Sequence, residues 1–411
     1  MNIVMVTNTY APHVGGVAHS IVAFREEFRR AGHRVLIVAP EFPHQDAQEI
    51  GVIRIPALQN FNGSDFSVVL PIPGLLLDVL DEFQPDIIHS HHPYLLGMTA
   101  LRNARYRKLP LVFTHHTLYE RYTHYIPGDS PAFARFIIEL ATRYANLTDQ
   151  VFAPSESVAE LIRARGVTTP ITVVPTGIAL ERFGVGNGPS CRHRFGIPRD
   201  AFVIGHVGRL EAEKNLGLLA EAVVRFMADD AAVHFLVVGK GEYAAHIREV
   251  FARAGMEDRL HLAGPLVDAD LVDAYHAMEV FAFSSTSETQ GMVLIEAMAA
   301  GTPVVALDAC GAREVVRDGQ EGRLLREENP HAFADALRWL RALDSQRRVR
   351  VQCAARERAR RYAMPAMAQR ALAVYEHLIA RDASGEEAVP GAFGSIFDRI
   401  GDLLGAEWDI V

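Results

Sequence analysis

The stretch SSTSETQGMVLIEAMAAGTPVV, residues 284–305, shows the alternation of structure that decides the fold. It follows the β-rich run VFAF and leads into PVVAL, and a continuous apolar segment lies between the two. Ser and Thr residues before that segment favour helix caps, while Gly301 followed by Pro303 is typical of a helix end. The stretch therefore predicts strand, turn, helix, turn and strand, which is the repeating unit of a doubly wound α/β sheet.

Two carboxylates bracket the predicted turn, because Glu288 stands before the helix and Glu296 within it. Gly291 lets a ligand approach the helix N-terminus, where unpaired N–H groups and the helix dipole attract an anion. A carboxylate beside such an anion site indicates a ligand with both phosphate and hydroxyl groups. A sugar nucleotide carries both, so this stretch predicts a sugar-nucleotide site.

Composition narrows the class of protein. A chain of 411 residues with 49% hydrophobic content can bury large cores and should form two or three domains. The net charge of −9 argues against nucleic acid as a partner, and three widely separated cysteines indicate neither a disulfide framework nor a thiolate metal site. The start, MNIVMVTNTYAPHVGG, is typical of a strand and loop and not of a signal peptide, and no apolar run could span a bilayer. We expect a cytoplasmic protein, peripheral at the inner face of the membrane if it meets one.

Short β-branched runs alternate with helical periodicity in both halves of the chain, as expected for buried parallel strands. Between the halves, ERFGVGNGPSCRHRFGIPRD is rich in Gly and Pro, which predicts a linker or domain boundary at about residues 178–200. Two successive βα series predict an α/β protein with two doubly wound, Rossmann-like domains facing each other across a cleft. The strand candidates are IVMV, VLIVAP, VIRI, DIIHS, LVFT, VFAPS and ITVVPT, then FVIGHVG, HFLVVG, RLHLAG, EVFAFSS, PVVAL and GRLL.

Two loops at predicted strand ends are candidates for phosphate binding. NTYAPHVGGVAHS places Gly15 and Gly16 before a helix, but it lacks dinucleotide-fold spacing, and a plain turn explains it equally well. GHVGRLEAEKN places Arg209 and Lys214 after a strand, where two cations suit a diphosphate. Without further context, a solvated pairing with neighbouring glutamates is the better explanation of these two cations.

Five histidines follow two further strands, in HSHHPYLLG and FTHHT. His89 and His91 share a strand face, so metal ligation is conceivable, yet no Cys, Asp or Glu stands at ligand spacing. A histidine that lines the cleft and donates to a reacting sugar is the favoured interpretation, and a structural role remains for four of the five. The five are His89, His91, His92, His115 and His116.

The motifs GRLEAEKN, VVGKGEY, VVPTGIALERF and SETQGMVLIEAMAAGTPVV closely resemble those of the retaining glycosyltransferases of family 4, which have the GT-B fold. The resemblance runs from residue 1 to about residue 380. It implies an acceptor-side domain of residues 1–180, completed by C-terminal helices at about 365–411, and a nucleotide-sugar-binding domain of residues 181–364. More narrowly, FTHHTLYERYTHYIP and SETQG resemble enzymes that glucosylate diacylglycerol. Thr176 departs from the Asn that many members carry in this position.

The resemblance implies a role for each residue around the first motif. Glu288 would bind hydroxyls of the donor sugar, and Glu296 would accept from the ribose hydroxyls. Leu266, after the HLAG strand, would contact the base through its backbone. Backbone N–H groups holding the sugar and the diphosphate would come from Gln290, Gly291, Met292 and Val293.

The resemblance also implies the catalytic groups. Arg209 and Lys214 coincide with the cations that bind the diphosphate, which reverses the preference for a solvated pairing. Gly16, with Gly15 before it, would let the diphosphate lie close to the first loop, and His116 would touch the donor sugar near its reacting carbon. Preorganised amides and cations would stabilise the leaving nucleoside diphosphate. We therefore expect no metal and no cofactor, and transfer with retention of anomeric configuration.

Two features bear on the acceptor. A basic cluster in LRNARYRKLP, followed by spaced tyrosines, suits an anionic membrane surface, although a solvated helix face and a core aromatic stripe explain them equally well. The cluster consists of Arg102, Arg105, Arg107 and Lys108, and the tyrosines are Tyr119, Tyr122 and Tyr125. The tail GAFGSIFDRIGDLLGAEW has an apolar stripe with an acidic polar side, so we expect it to dock on protein. Its stripe consists of Phe393, Phe397, Ile400 and Leu404.

The sequence thus predicts a hexosyltransferase that moves a sugar from a nucleotide-diphosphate donor, UDP-glucose first, to a hydroxyl of a lipid acceptor such as diacylglycerol. GDP-mannose as the donor, or a soluble sugar or polyol as the acceptor, remain alternatives. A sugar-nucleotide epimerase of the same fold would act without an acceptor, and a non-catalytic sugar-nucleotide binder would show no turnover.

Overall fold

The structure is a computed structural model that describes residues 1–13, 15–42, 49–58, 68–69, 76–118, 120 and 130–383. Every strand candidate named above is a strand in this structure. The strands of the first half are β1 Asn2–Val6, β2 Arg34–Pro40, β3 Val52–Ile55, β4 Ala57–Leu58, β5 Val68–Val69, β6 Ile87–Ser90, β7 Leu111–Thr114, β8 Gln150–Ala153 and β9 Ile171–Val173. Those of the second half are β10 Phe202–Val207, β11 Val233–Val238, β12 Leu260–Gly264, β13 Val280–Phe283, β14 Val304–Leu307 and β15 Gly322–Leu325.

Helices connect these strands and cover both sheets. They are α1 Gly16–Arg30, α2 Leu77–Phe83, α3 Leu96–Arg107, α4 Pro131–Ala145, α5 Glu156–Ala164, α6 Leu180–Phe183, α7 Gly188–Arg194, α8 Leu216–Met227, α9 Ala244–Arg253, α10 Asp268–His276, α11 Met292–Ala300, α12 Pro330–Arg341, α13 Ser345–Arg360 and α14 Met364–Ala383. Among the residues that the structure describes, no helix is long and apolar enough to cross a membrane.

Each half contains one parallel sheet with a reversal of strand order. The first sheet has the order β3-β2-β1-β6-β7-β8-β9, and the second has the order β12-β11-β10-β13-β14-β15, while β4 and β5 form a separate antiparallel pair. The order reverses beside β1 and beside β10, and ligands bind outside the carboxyl ends of the strands at such points. The two predicted doubly wound α/β domains are therefore confirmed, and their switch points are beside the glycine loop and the Arg209 loop.

The cores explain why the strands read as unbroken apolar runs. In the first half, α1 and α14 pack on one face of the sheet, and α2, α3 and α5 pack on the other. In the second half, successive residues of β11 alternate between two cores, so that Phe235 faces α8, α9 and α12 while Leu236 faces α10 and α11. A strand covered on both faces is apolar at nearly every position, and buried His206 and His234 are exceptions.

The chain passes between the halves twice, at two segments that pair with each other. Ile178 donates to the Tyr362 carbonyl at 2.8 Å and accepts from the Met364 N–H at 3.0 Å. After the second passage, α14 packs on α1, where the rings of Tyr375 and Phe28 lie 5.7 Å apart. The predicted boundaries at 180/181 and 364/365 fall next to these paired segments, and residues 384–411 of the predicted C-terminal portion lie outside the described residues.

The structure differs from the sequence expectation at two places. The predicted linker at 178–200 contains α6 and α7, and Phe183, Cys191 and Ile197 are buried in a core of the second half. Their irregular spacing matches no helical period, which is why the pattern did not reveal them. The predicted Ser or Thr cap of α11 is also wrong, because Gly291 occupies the cap position with φ 70° and no side chain caps the helix. Gly301 ends the helix with φ 85°, as predicted.

Candidate active site

The loops that follow β10 and β13 meet through an ion pair between two predicted site residues. Lys214 Nζ lies 2.5 Å from Glu288 Oε1, and the two side chains are 11% and 23% exposed. The loops are joined a second time, because Ser284 Oγ donates to the Lys214 carbonyl at 2.9 Å. The predicted diphosphate cation and the predicted sugar-binding carboxylate therefore form one unit, in which each fixes the position of the other.

Arg209 lies on the same loop as Lys214 but is more exposed. It donates to Glu213 at 2.7 Å, and its side chain is 49% exposed. The pairing with a neighbouring glutamate, which the sequence offered as an alternative, is thus present for Arg209 and is replaced by Glu288 for Lys214. The Arg209 guanidinium is half exposed, so it can turn toward an anion, whereas Glu213 is only 10% exposed and would then lose this partner.

Helix α11 begins where two glycine-containing loops pack closely against each other. A Cβ at Gly291 would lie 3.0 Å from the Gly311 carbonyl oxygen, and a Cβ at Gly311 would lie 2.7 Å from the Gln290 nitrogen. Both glycines have positive φ, 70° and 80°. The first turn of a helix has N–H groups without intrahelical partners, so Met292 and Val293 can donate to a phosphate here. Close packing therefore explains both glycines.

Glu296 lies one turn into α11 and is almost fully buried, with 8% of its surface exposed. Tyr275 of α10 donates its hydroxyl to Glu296 Oε2 at 2.7 Å. Burial raises the pKa of the Glu296 carboxyl to about 7, which outweighs the opposing effects of Tyr275 and Arg182. Within the described part of the chain, Glu296 Oε1 has no donor, so it can accept from hydroxyls of a ligand. Sequence reasoning placed Glu296 correctly in the helix but did not find Tyr275.

The raised pKa of Glu296 predicts opposite pH trends for stability and for nucleotide binding. The folded carboxyl retains its proton up to about pH 7, whereas the unfolded one loses it near its usual 4.5. Unfolding free energy should therefore fall by about 3 kcal/mol as pH rises through this range. Ribose hydroxyls favour the ionised form, so affinity for a nucleoside diphosphate should rise over the same range. Thermal melting and calorimetric titration from pH 5 to 8 measure both trends, and Glu296→Gln should abolish them. Parallel slopes in wild type and variant would contradict this assignment.

The histidines at the ends of β6 and β7 form contacts with one another. His91 Nδ1 lies 2.8 Å from His116 Nε2, and His89 Nε2 lies 2.7 Å from Thr114 Oγ1. His92 accepts from the Asn8 N–H at 3.1 Å. No group of three or more His, Cys, Asp or Glu side chains suited to a metal occurs in the described ranges. The structure places His116 at the sheet edge that faces the second half, with His91 directly behind it.

The first glycine loop and Leu266 lie at the carboxyl edges of the two sheets. Gly16 is the first residue of α1, and a Cβ there would meet no atom within 4 Å, which leaves room for a ligand. A Cβ on Gly15 would lie 3.2 Å from His13 Nε2. Leu266 follows β12 and packs against a core of the second half.

The loop that carries Glu288 is hydrogen-bonded across to the first half of the chain. Thr289 Oγ1 donates to the His116 carbonyl at 2.9 Å, and Ser155 Oγ donates to the Thr289 carbonyl at 2.7 Å. The Gln290 amide forms two bonds with the Thr176 backbone, accepting from its N–H at 2.7 Å and donating to its carbonyl at 2.6 Å. These residues of the opposite domain hold the loop that carries Glu288 in place. We call this loop the donor loop, after its predicted ligand.

A second bond set joins the halves beside this loop. Glu314 accepts from the Ser157 N–H at 2.8 Å and from the Gly311 N–H at 3.1 Å, so one carboxylate spans the first turn of α5 and the loop packed on Gln290. Sequence reasoning missed Glu314, Ser155 and the Gln290 side chain. Ser155 alone gave a local signal, because a serine before a helix is a good cap.

Comparison with known proteins agrees with this geometry. Two protein-family models match the chain: Glycosyltransferase Family 4 over residues 14–182, and Glycosyl transferases group 1 over residues 201–342. An alpha-monoglucosyldiacylglycerol synthase of Streptococcus pneumoniae is 30% identical over 340 residues, which cover 81% of this chain and 77% of the relative. A GDP-mannose-dependent alpha-mannosyltransferase of Mycobacterium tuberculosis is 29% identical, with 82% and 87% covered.

The solved structures show the same architecture. The crystal structure of Anabaena Alr3699/HepE in complex with UDP and glucose has a TM-score of 0.74 and 21% sequence identity, covering 92% of this chain and 99% of the other. Two parallel-sheet α/β halves of this kind form the GT-B fold. With the family models and the relative that is 30% identical, the chain belongs to the glycosyltransferases of family 4.

Proposed function

We propose that this glycosyltransferase moves glucose from UDP-glucose to a hydroxyl of a diacylglycerol-type lipid, with retention of anomeric configuration. The observation that supports the donor assignment is the Lys214–Glu288 pair, 2.5 Å apart, beside the start of α11. It provides a cation for phosphate and a carboxylate for sugar hydroxyls at the point where the strand order reverses. The name of the S. pneumoniae relative supports the lipid acceptor.

Catalysis in this proposal is electrostatic. Departure of the nucleoside diphosphate leaves an oxocarbenium-like sugar and places negative charge on the phosphate oxygens. Lys214, the N–H groups at the start of α11 and Arg209, once it turns from Glu213, stabilise that charge, and such stabilisation is the largest effect in many enzymes. The leaving phosphate then accepts the proton of the acceptor hydroxyl on the same face of the sugar, which gives retention. Glu288 orients the sugar, because Lys214 donates to Glu288 Oε1 and so fixes the position of the carboxylate.

The experiment that tests this function is a screen of labelled UDP-glucose, GDP-mannose and related donors with diacylglycerol in anionic vesicles. We expect transfer of glucose to diacylglycerol. GDP-mannose is the second candidate because the M. tuberculosis relative uses it, by its name. Transfer to a soluble sugar or polyol alone would refute the lipid acceptor, conversion of the donor without acceptor would indicate an epimerase, and binding without turnover would indicate a non-catalytic binder.

The same positive groups make a divalent ion unnecessary in this proposal. Turnover in the vesicle assay should therefore persist in excess chelator, with magnesium changing the rate by no more than a few fold through product release. Complete loss of activity in chelator, followed by recovery on adding a divalent ion, would show that a metal has been missed.

Membrane contact is proposed for the face of the first half that carries α3 and α4. Tyr106 on α3 is 76% exposed and Phe136 on α4 is 44% exposed, so both place aromatic surface in contact with solvent. Both helices run from the carboxyl edge of the sheet, where the cleft opens, to the amino edge. The basic cluster lies at the far end of α3, so a bilayer along this face would touch the cluster and also reach the cleft. Tyr119, Tyr122 and Tyr125 lie outside the described residues.

The basic cluster is only partly available to lipid. Arg107 contacts Asp81 at 2.6 Å, and Arg105 donates to the Leu147 carbonyl at 2.8 Å, so both also hold neighbouring elements. Arg102 and Lys108 are exposed. Each basic residue near an anionic leaflet contributes about 1 kcal/mol, so these two alone account for a binding effect of about 30-fold.

Replacing Arg102, Arg105, Arg107 and Lys108 with Ser should therefore lower sedimentation with anionic vesicles at least about tenfold at low salt, and added salt should reduce the difference. Activity on vesicle-borne acceptor should fall too, while UDP affinity stays unchanged. The control replaces four exposed arginines of the second half, which changes net charge equally; they are Arg347, Arg350, Arg360 and Arg361. If the cluster variant bound vesicles as well as the control variant does, the cluster would be a solvated helix face.

A further inference from the structure

Behind His116, the first domain contains a buried row of hydrogen-bonded rings that the proposed reaction leaves unexplained. His91 Nδ1 lies 2.8 Å from His116 Nε2, and the rings of His91 and His89 lie 4.1 Å apart. Both nitrogens of His89 are occupied, Nδ1 by the Tyr375 hydroxyl at 2.6 Å and Nε2 by Thr114 Oγ1 at 2.7 Å. Among the described residues, the His91 side chain has no hydrogen-bond partner other than His116.

The number of protons on the pair follows from burial. Burial and the neighbouring histidines hold the pKa of both His91 and His116 well below 6.5, so both rings are neutral at physiological pH. A neutral imidazole carries one N–H, so a single proton lies between His91 Nδ1 and His116 Nε2. Two arrangements are possible, which differ in the ring that donates.

The surroundings of His91 decide between them. His91 Nε2 is buried and has no hydrogen-bond partner among the described residues. If His116 donated, His91 would carry its proton on this nitrogen as a buried, unpaired N–H, which is a rare and costly state. If His91 donates from Nδ1, Nε2 presents only a lone pair to the buried surroundings.

Water does little to stabilise the arrangement in which His91 carries its proton on Nε2. The cavity against these rings has a volume of about 10 Å³, which admits at most one water. His91 and His116 line it together with the hydroxyls of Tyr375, Thr114 and Thr176, and none of these hydroxyls lies within hydrogen-bond distance of His91 Nε2. The space is at the lower limit for a single water, so the buried surroundings favour a lone pair on His91 Nε2 over an N–H.

We propose that His91 is a positioning residue for His116. It donates from Nδ1 to His116 Nε2 and thereby fixes the proton of His116 on Nδ1, the one ring nitrogen left to contact the donor sugar. His116 then meets a sugar oxygen as a neutral donor and never as an acceptor. This inference rests on the proposed function, in which His116 touches the sugar, and it assigns a role to a histidine one strand away from the substrate.

Three variants separate positioning from mere packing. His91→Asn retains an N–H close to the position of Nδ1, whereas His91→Leu removes it. His234→Leu is the matched control, because His234 Nδ1 lies 2.9 Å from His261 Nε2 in a second histidine pair at the amino edge of the other sheet. Orienting partners of functional histidines change activity by about 10- to 100-fold. We expect a loss of that size in kcat for His91→Leu, with donor KM within about threefold, near-complete rescue in His91→Asn, and wild-type kinetics in His234→Leu.

The protonation state is read directly from nitrogen NMR of histidine-labelled protein, with His116 assigned by a His116→Gln variant. Wild type and His91→Asn should show the His116 proton on Nδ1, and His91→Leu should show a mixture of both forms. A proton on Nε2 of wild-type His116 overturns the proposal, and so does an unchanged kcat in His91→Leu. The NMR result needs no substrate, so it stands even if the donor or acceptor proposed above is wrong. Should His91→Leu fail to fold, the spectrum of wild type and the rescue in His91→Asn still decide the matter.

Discussion

Lys214→Ala is expected to lower kcat/KM by about 10²-fold or more, a loss of a few kcal/mol of transition-state stabilisation. Two effects act in the same direction. The variant loses the cation that is proposed to stabilise the charge developing on the leaving diphosphate. It also leaves Glu288, whose side chain is only 23% exposed, without its partner at 2.5 Å, so that an uncompensated carboxylate faces the phosphate. Glu288→Gln in the Lys214→Ala background should therefore recover part of the loss in donor affinity.

Arg209→Ala is expected to lower kcat/KM by a similar factor, although the Arg209 side chain is much more exposed than that of Lys214. Its control is Arg194, which pairs with Asp270 at 2.7 Å and is 54% exposed, while Arg209 pairs with Glu213 at 2.7 Å and is 49% exposed. The carboxylates differ, because Asp270 is 54% exposed and Glu213 only 10%. Arg194→Ala should therefore leave the melting temperature unchanged, and Arg209→Ala, which leaves a mostly buried carboxylate without this partner, should lower it. Steady-state kinetics with the vesicle acceptor should then show a large defect for Arg209→Ala alone.

Wild-type turnover within a factor of a few in Lys214→Ala would refute the assignment of the diphosphate site. A loss shared equally by Arg209→Ala and Arg194→Ala would attribute the effect of Arg209 to general charge. Calorimetric titration with UDP separates ground-state binding from transition-state stabilisation, because a change confined to kcat indicates an interaction made only during the reaction.

The fold was predictable because its main signals are local. A strand buried on both faces is apolar at nearly every position, so VHFLVV and FVIGHV, with one histidine each, are visible in the sequence as β11 and β10. The end of α11 was equally local, since Gly301 adopts a positive φ that glycine tolerates best. The segment at 178–200 was missed because Phe183 and Cys191 pack against a distant core without forming a period of their own.

The sequence indicates candidate site residues but not the contacts that connect them. Sequence reasoning selected Lys214, Glu288 and Glu296, yet the partners of these groups stand far along the chain. Tyr275 reaches Glu296 from a neighbouring helix, and Ser155 reaches Thr289 across 134 residues. No spacing rule encodes such a pair, because it exists only after two sheets have folded and met. The same reason hid which of five histidines stands behind His116.

The donor loop illustrates the consequence, because its order depends on the opposite domain. The Gln290 side chain is 5% exposed and satisfies both the N–H and the carbonyl of Thr176. In the described ranges, no other side chain bonds to either backbone group, and each unpaired buried group costs about 1–3 kcal/mol. The loop whose backbone is proposed to hold the sugar and diphosphate would then populate its binding-competent arrangement less often.

Gln290→Ala should accordingly weaken UDP binding on the order of 10²-fold, since apparent affinity falls in proportion to the competent fraction. Gln290→Glu keeps the acceptor for the Thr176 N–H and loses only the donor, so it should lie between the alanine variant and wild type. Calorimetric titration with UDP measures both.

Gln150→Ala is the matched control for this loss. Gln150 is also buried, and its amide donates to the Pro170 carbonyl at 2.8 Å and to Thr172 Oγ1 at 3.1 Å, but within the first domain alone. Removing it should lower the melting temperature without changing UDP affinity. If Gln290→Ala binds UDP as tightly as Gln150→Ala does, the donor loop is ordered by its own domain. If only Gln290→Ala loses affinity, the first domain contributes to nucleotide binding through a side chain that never touches the nucleotide, and closure of the two domains and capture of the donor are one equilibrium.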